Sequence, residues 1–184
     1  LARLFQAGTF NTSSIIIGSG RTSWDDTTFR NRFDVPGEVK SLLFYHQGIT
    51  GIKEYISQKG TFGQVIFFFA LPPSVYADTA KLLFEEGFRG EARLIIEKPF
   101  GYDYESARKI NDELHRYFDE FQLFRIDTYM AKEAIQNILV FRFANSLFYP
   151  VWNSHFIEEI QINACELIGV ENRGTYFYRA RIIR

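Results

Sequence analysis

Continuous apolar runs alternate with amphipathic segments from Ser13 to Tyr129. SSIIIGSG is a β-branched run closed by glycines and predicts a short buried strand with a turn. SWDDTTFRNRFDV opens on Ser and Asp caps and continues in helical spacing, and GITGIKEYISQKG predicts a short helix stopped by glycine. GQVIFFFALPP is the clearest buried strand, ended by a double proline. SVYADTAKLLFEEGF predicts an amphipathic helix capped by Ser74 and closed by Gly87. ARLIIEKPF predicts another buried strand, and DYESARKINDELHRYFD a long amphipathic helix capped by Asp103. FQLFRIDTY then predicts a strand and AKEAIQNILVFRFAN a helix. The opening LARLFQAGTF reads as a helix end with Gly8 as its stop, and from HFIEEIQINACELI onward the pattern changes to strand alternation.

Apolar strands alternating with helices predict an α/β fold, a doubly wound parallel sheet covered on both faces. The change of pattern divides the chain into residues 1–129 and residues 130–184, the latter the start of an α+β domain. Parallel sheets of this kind bind ligands at the carboxyl ends of their strands. The polar segments GSGR, ALPP, EKPFG and RIDTY all fall there.

Composition narrows the partners. The 184 residues are 46% hydrophobic, enough for a real core, and the net charge of −1 points to neither nucleic acid nor a membrane surface. Cys165 is the only cysteine, and His46, His115 and His155 lie far apart, so no metal site is predicted. No apolar run reaches the roughly 18 residues of a membrane span, and no signal peptide is expected. A reduced, cytoplasmic protein is expected. The chain opens at Leu1 without Met and stops at Arg184 directly after RARII, so both ends read as cut.

Four segments carry candidate chemistry. GSGRTS follows a strand, with two glycines of a dinucleotide loop and Glu38 about 20 residues on; it is equally an ordinary glycine turn. An Arg just past a strand end, as Arg21 is, can instead pair with a 2′-phosphate. In ALPPSVY the two prolines make a rigid edge suited to a flat ring such as nicotinamide, or simply a strand-to-helix turn. EKPFG sets Lys98 at a strand end, where it binds a substrate oxygen or phosphate or is an ordinary surface lysine. RIDTYMAKE gathers Asp127, Tyr129 and Lys132. A helix beginning near Thr128 would put Lys132 one turn on, a suitable phosphate site. Asp127 could orient a histidine general base. The alternative for all three is a set of caps and surface ion pairs.

The order ALPP, EKPFG, RIDTYMAKE, QN…RFAN, PVWN and NRGTYF resembles the glucose-6-phosphate 1-dehydrogenase family, whose signature is RIDHYLGKE, over essentially the whole chain. The resemblance implies a truncated Rossmann-like domain and the start of the C-terminal domain. It implies oxidation of glucose 6-phosphate to 6-phosphogluconolactone by hydride transfer to NADP, in the pentose phosphate pathway. It also implies a homodimer or homotetramer when full length. By the same resemblance, Asp127 orients the catalytic histidine. Thr128, Tyr129 and Lys132 hold the sugar phosphate, and Glu166 binds the glucose ring. Lys98 touches both sugar and cofactor. Arg21 meets the 2′-phosphate, and Leu71, Pro72 and Tyr76 lie along the cofactor.

The departures matter as much. Thr128 stands where the family has a phosphate-binding histidine, and Ala131 replaces a glycine. Tyr178 replaces an aspartate and Arg181 a glycine. The pyrophosphate loop is expected before Leu1 and the catalytic histidine within about ten residues after Arg184, so the 184 residues alone are expected to be inactive. The alternative is a degenerate or truncated relative acting at most as a sugar-phosphate-binding or interaction module.

Overall fold

The computed structural model describes Phe5 and residues 7–9, 13–127 and 130–163. It divides into two compact units, one of Leu1–Val65 with Ala77–Ala92, the other of Ile66–Tyr76 with Arg93–Arg184.

In the first unit, β1 (Ile16–Gly20) and β2 (Leu43–Gln47) pair in parallel, Ile16 opposite Leu43 and Gly20 opposite Gln47. The pattern predicts β1; for β2 it offers only a strand-like run around His46. The helix expected across SWDDTTFRNRFDV is a single short turn, α1 (Asp26–Arg30), and a second, α2 (Gly37–Ser41), follows Pro36. The Asp25 side chain caps α1 by accepting from the Thr28 N–H at 2.6 Å, a bond that lowers the Asp25 pKa. Phe29, Leu43 and Tyr45 are buried together, with Ile16, Trp24 and Val35 packed around them. α3 (Ile52–Lys59) starts after Gly51 and stops at the predicted glycine, Gly60, both at positive φ.

In the second unit, β3 (Val65–Phe69), β4 (Ala92–Glu97) and β5 (Leu123–Ile126) form a sheet in that order. β4 and β5 are parallel, with Leu94 opposite Leu123 and Glu97 opposite Ile126. Ala92, Leu94 and Ile96 are buried, as expected of a core strand. β3 is different. It lies at the edge of this sheet, Phe69 is buried, and Ile66 and Phe68 are exposed, so VIFFF is not the doubly covered strand its composition predicts.

A 3₁₀ turn (Pro73–Val75) leads into α4 (Tyr76–Glu85). Ser74 lies inside that turn and is not the cap; Gly87 does close the helix, at φ 91°, its N–H donating to the Phe84 carbonyl at 3.0 Å. α5 (Tyr104–Leu114) starts at the predicted Asp103. A reciprocal box holds it, Ser106 N–H to Asp103 Oδ1 at 2.8 Å and Asp103 N–H to Ser106 Oγ at 3.0 Å. A short 3₁₀ turn (Glu120–Gln122) then feeds β5.

α6 (Glu133–Phe143) is the predicted helix, and none of its residues is buried. It begins at Glu133, with Lys132 extended as its cap residue, so the helical start expected near Thr128 is not found. Among the described residues beyond it there is a 3₁₀ turn (Tyr149–Val151) and then irregular chain to Ile162 and Asn163. The rest of the predicted alternating strand lies outside the described residues. The architecture is α/β with parallel strands alternating with helices, a partial Rossmann-like arrangement. Among the described residues no helix is long and apolar enough to cross a membrane.

Candidate functional site

Parallel pairing fixes the central geometry. Glu97 and Ile126 are the last registered partners of β4 and β5, so Lys98 and Asp127 come next, side by side at the carboxyl end of the sheet. Registered residues of neighbouring strands point to the same face and alternate along it. Leu94, Ile96 and Lys98 share a face with Leu123, Arg125 and Asp127. The apolar members are buried, and the chain's polarity changes where the strands end. The Lys98 ammonium donates to Asp127 Oδ2 in an ion pair. Lys98 keeps 67% of its side-chain surface exposed and Asp127 27%, so the pair opens to solvent.

The second carboxylate oxygen of Asp127 accepts the Met130 N–H at 3.4 Å, and its carbonyl accepts the Ala131 N–H at 3.1 Å. Asp127 is thereby tied to the backbone of Met130 and Ala131. Gln136, in the first turn of α6, donates to the Met130 carbonyl at 3.0 Å and ties the same backbone to α6. Lys132 caps α6 from an exposed position, its carbonyl accepting from the Ile135 and Gln136 N–H groups.

Behind Lys98 the strand end is anchored by aromatic packing. Tyr76 is only 1% exposed, and its hydroxyl donates to the Glu97 carbonyl at 3.1 Å. Its ring lies 5.8 Å from Phe69 and 6.4 Å from Phe100, the latter nearly parallel at 29°. The Lys98–Pro99 peptide is cis, and Gly101 at φ 83° completes the turn. Leu71 and Pro72, by contrast, are exposed and offer an open apolar edge after β3.

Arg21, in the first unit, is exposed just past the end of β1; Gln47 Nε2 donates to its carbonyl at 2.9 Å. Tyr45 supports the same turn, its hydroxyl donating to the Thr22 carbonyl at 2.5 Å. The exposed guanidinium suits a phosphate, and the exposed Leu71–Pro72 edge and the half-open ammonium of Lys98 suit a ring and a polar group. Each, within its own unit, has the chemistry to meet one part of a phosphorylated dinucleotide.

Comparison with known proteins decides the ancestry. Residues 35–137 match the family model described as glucose-6-phosphate dehydrogenase, NAD binding domain, and residues 139–184 match the C-terminal domain of the same enzyme. The chain belongs to the glucose-6-phosphate dehydrogenase family. It is 47% identical over 189 residues to the glucose-6-phosphate 1-dehydrogenase of Aggregatibacter actinomycetemcomitans, covering 88% of this chain and 38% of that one. It is 36% identical over 214 residues to the enzyme of Streptococcus pneumoniae, covering 100% and 42%. A solved glucose-6-phosphate dehydrogenase in complex with its substrate glucose-6-phosphate superposes with a TM-score of 0.77 at 30% identity, over 97% of this chain and 42% of that one. The chain thus spans about two fifths of the length of the relatives it matches.

Against the family's signature, Lys98 and Asp127 are brought together, and Lys132 lies five residues beyond Asp127 as a helix cap. Thr128, Tyr129 and Glu166 lie outside the described residues, as do Tyr178 and Arg181. Two residues that the sequence reading passed over stand beside the pair, Phe100 and Arg125. The signal for Arg125 was available in the alternation Leu123–Arg125–Asp127, but only the strand register shows what it meets.

Proposed function

We propose that this chain carries the coenzyme domain and the start of the substrate domain of a glucose-6-phosphate 1-dehydrogenase. On this reading residues 1–129 belong to the first and 130–184 to the second; the matching family model changes some eight residues later, between residues 137 and 139. The whole protein oxidises glucose 6-phosphate at C1 to 6-phosphogluconolactone in the pentose phosphate pathway. The observation that carries the reading is the Lys98–Asp127 pair at the joint carboxyl end of β4 and β5, inside the two motifs EKPFG and RIDTYMAKE.

Each residue has a role on this reading. Lys98 donates to a sugar hydroxyl and to the cofactor from its solvent-facing side. Asp127, already holding an ammonium, orients the imidazole that takes the C1 hydroxyl proton. Thr128, Tyr129 and Lys132 hold the 6-phosphate, and Glu166 the glucose ring. Arg21 receives the 2′-phosphate, and Leu71 and Pro72 the nicotinamide edge. Tyr76 is assigned to positioning, because its ring is buried and its hydroxyl fixes Glu97. When bound, NADP supplies the electron acceptor for C1. One cytoplasmic relative, from Arabidopsis thaliana, is 44% identical over 136 residues, which supports a cytoplasmic location. For the full-length protein, assembly as a homodimer or homotetramer is part of the same proposal.

A second reading rests on Thr128. A neutral hydroxyl at the position of a phosphate-binding histidine favours a relative that binds sugar phosphate weakly without turnover. Calorimetric titration of the chain with glucose 6-phosphate, and separately with NADP, tests both. Binding that is lost in Lys98→Met supports the dehydrogenase reading; binding that Lys98→Met leaves unchanged overturns the assigned site.

A further inference from the structure

We infer that Arg125 is a positioning residue that sets Lys98 against Asp127 by clamping Phe100. The inference rests on the reading of Lys98 and Asp127 as the functional pair, and it deepens that reading.

Arg125 precedes Asp127 by two residues on β5, and Phe100 follows Lys98 by two residues after β4. The guanidinium stands 5.6 Å from the centre of the Phe100 ring. A cation over an aromatic face at this distance is attracted by the ring quadrupole. Phe100 is held from its other neighbour by Tyr76, whose hydroxyl is bound to Glu97, the residue before Lys98. Two ties therefore cross between the ends of β4 and β5. One is Lys98 to Asp127; the other is Arg125 to Phe100.

The guanidinium is itself immobilised. Nη1 and Nη2 donate to the two oxygens of Glu120 at 2.9 and 3.1 Å, a fork that only Arg can make, and Nη2 also reaches Asn111 Oδ1 on α5. His115 Nε2 lies 3.0 Å from Glu120 Oε2 and steadies the carboxylate. An arginine needed only for solubility would not be held by a helix, a turn and a ring together. The guanidinium that lies over the Phe100 ring is thus held in place, so the turn carrying Lys98 has a fixed wall.

The test uses the reactivity of Lys98 itself. The 184-residue chain is treated with a limiting amount of acetic anhydride, and acetylation of Lys98 is read by peptide mass spectrometry against Lys81 as internal reference. An ammonium held on a carboxylate reacts slowly; one released to water reacts as an ordinary exposed lysine. Arg125→Ala is expected to raise the Lys98 rate on the order of 3- to 10-fold, with Lys81 unchanged and helical circular dichroism retained. Arg125→Lys, which keeps the charge and loses the fork, is expected to raise it nearly as much. An unchanged Lys98 rate in either folded variant overturns the inference. Should Arg125→Ala lose its circular dichroism, Phe100→Leu decides: it keeps apolar volume and removes the ring, a raised Lys98 rate supports the clamp, and an unchanged rate overturns it. Failure of glucose 6-phosphate to bind the unaltered chain would count against the proposed function alone, because the acetylation comparison contains no sugar or nucleotide.

Discussion

Lys98 and Asp127 form an ion pair one residue past the last registered partners of two parallel strands. Nothing local makes them neighbours, since 29 residues separate them. The parallel pairing of β4 and β5 does it, by bringing both strands to their carboxyl ends at the same level. Exposed ion pairs contribute only about 0–1 kcal/mol to stability. The place of this one, at the end of a sheet in two separate motifs, is better explained by binding than by folding.

Tyr76 separates positioning from bulk packing. Tyr76→Phe removes one hydrogen bond to the Glu97 carbonyl and should cost about 1 kcal/mol. Tyr76→Ala also empties the space between Phe69 and Phe100 and should cost about 3–5 kcal/mol. Urea unfolding of both variants measures the difference; equal losses would show that the hydroxyl, not the ring, dominates.

Gly101 is expected to tolerate no side chain. It sits at φ 83°, and an added Cβ would meet the Ala107 backbone nitrogen at 2.6 Å. Backbone atoms of a capped helix cannot swing aside as a flexible side chain can. Gly101→Ala should therefore destabilise the chain by about 1–3 kcal/mol, read as a lowered urea midpoint. Gly90→Ala, with open space around it and ordinary φ, is the control and should shift little.

The sequence made much of this legible and missed the rest for definable reasons. Glycine and aspartate signals located the ends of α3, α4 and α5, because capping depends on neighbours a few residues away. β2 went unassigned because LLFYHQ follows two five-residue helices too short to show a period. The exposure of Ile66 and Phe68 could not be read from VIFFF, since an apolar strand looks the same at an edge as in the middle of a sheet. The candidate residues at strand ends were found from motif and position. Phe100 and Arg125 were not, because their meeting depends on the register of β4 with β5.

Glu120 gives the clamp a pH signature. The Arg125 hydrogen bonds hold its carboxyl below the usual glutamate value of 4.5, with Arg125's charge and His115 adding to the effect. A depressed carboxylate stabilises the fold above its unfolded pKa, and that contribution is lost as pH falls through the lower folded value. The urea midpoint of the unaltered chain should therefore fall more on acidification below about pH 4.5 than that of Glu120→Gln. Parallel curves for the two would exclude the network as a source of stability.

Thr128→His restores the residue found in the signature RIDHYLGKE. A charge-assisted hydrogen bond is worth about 1.5–3 kcal/mol, so the substitution should tighten glucose 6-phosphate binding by roughly tenfold or more. Calorimetry reads it directly. Unchanged affinity would show that the phosphate does not reach this position.

The most direct measurement is protection of Lys98. The chain is acetylated with and without saturating glucose 6-phosphate, and the Lys98 rate is compared with that of Lys81. If the sugar phosphate occupies the carboxyl ends of β4 and β5, Lys98 acetylation falls several-fold while Lys81 is unaffected, and Asp127→Asn weakens the protection. If Lys98 reacts equally fast with and without the sugar phosphate, the pair does not form a glucose 6-phosphate site.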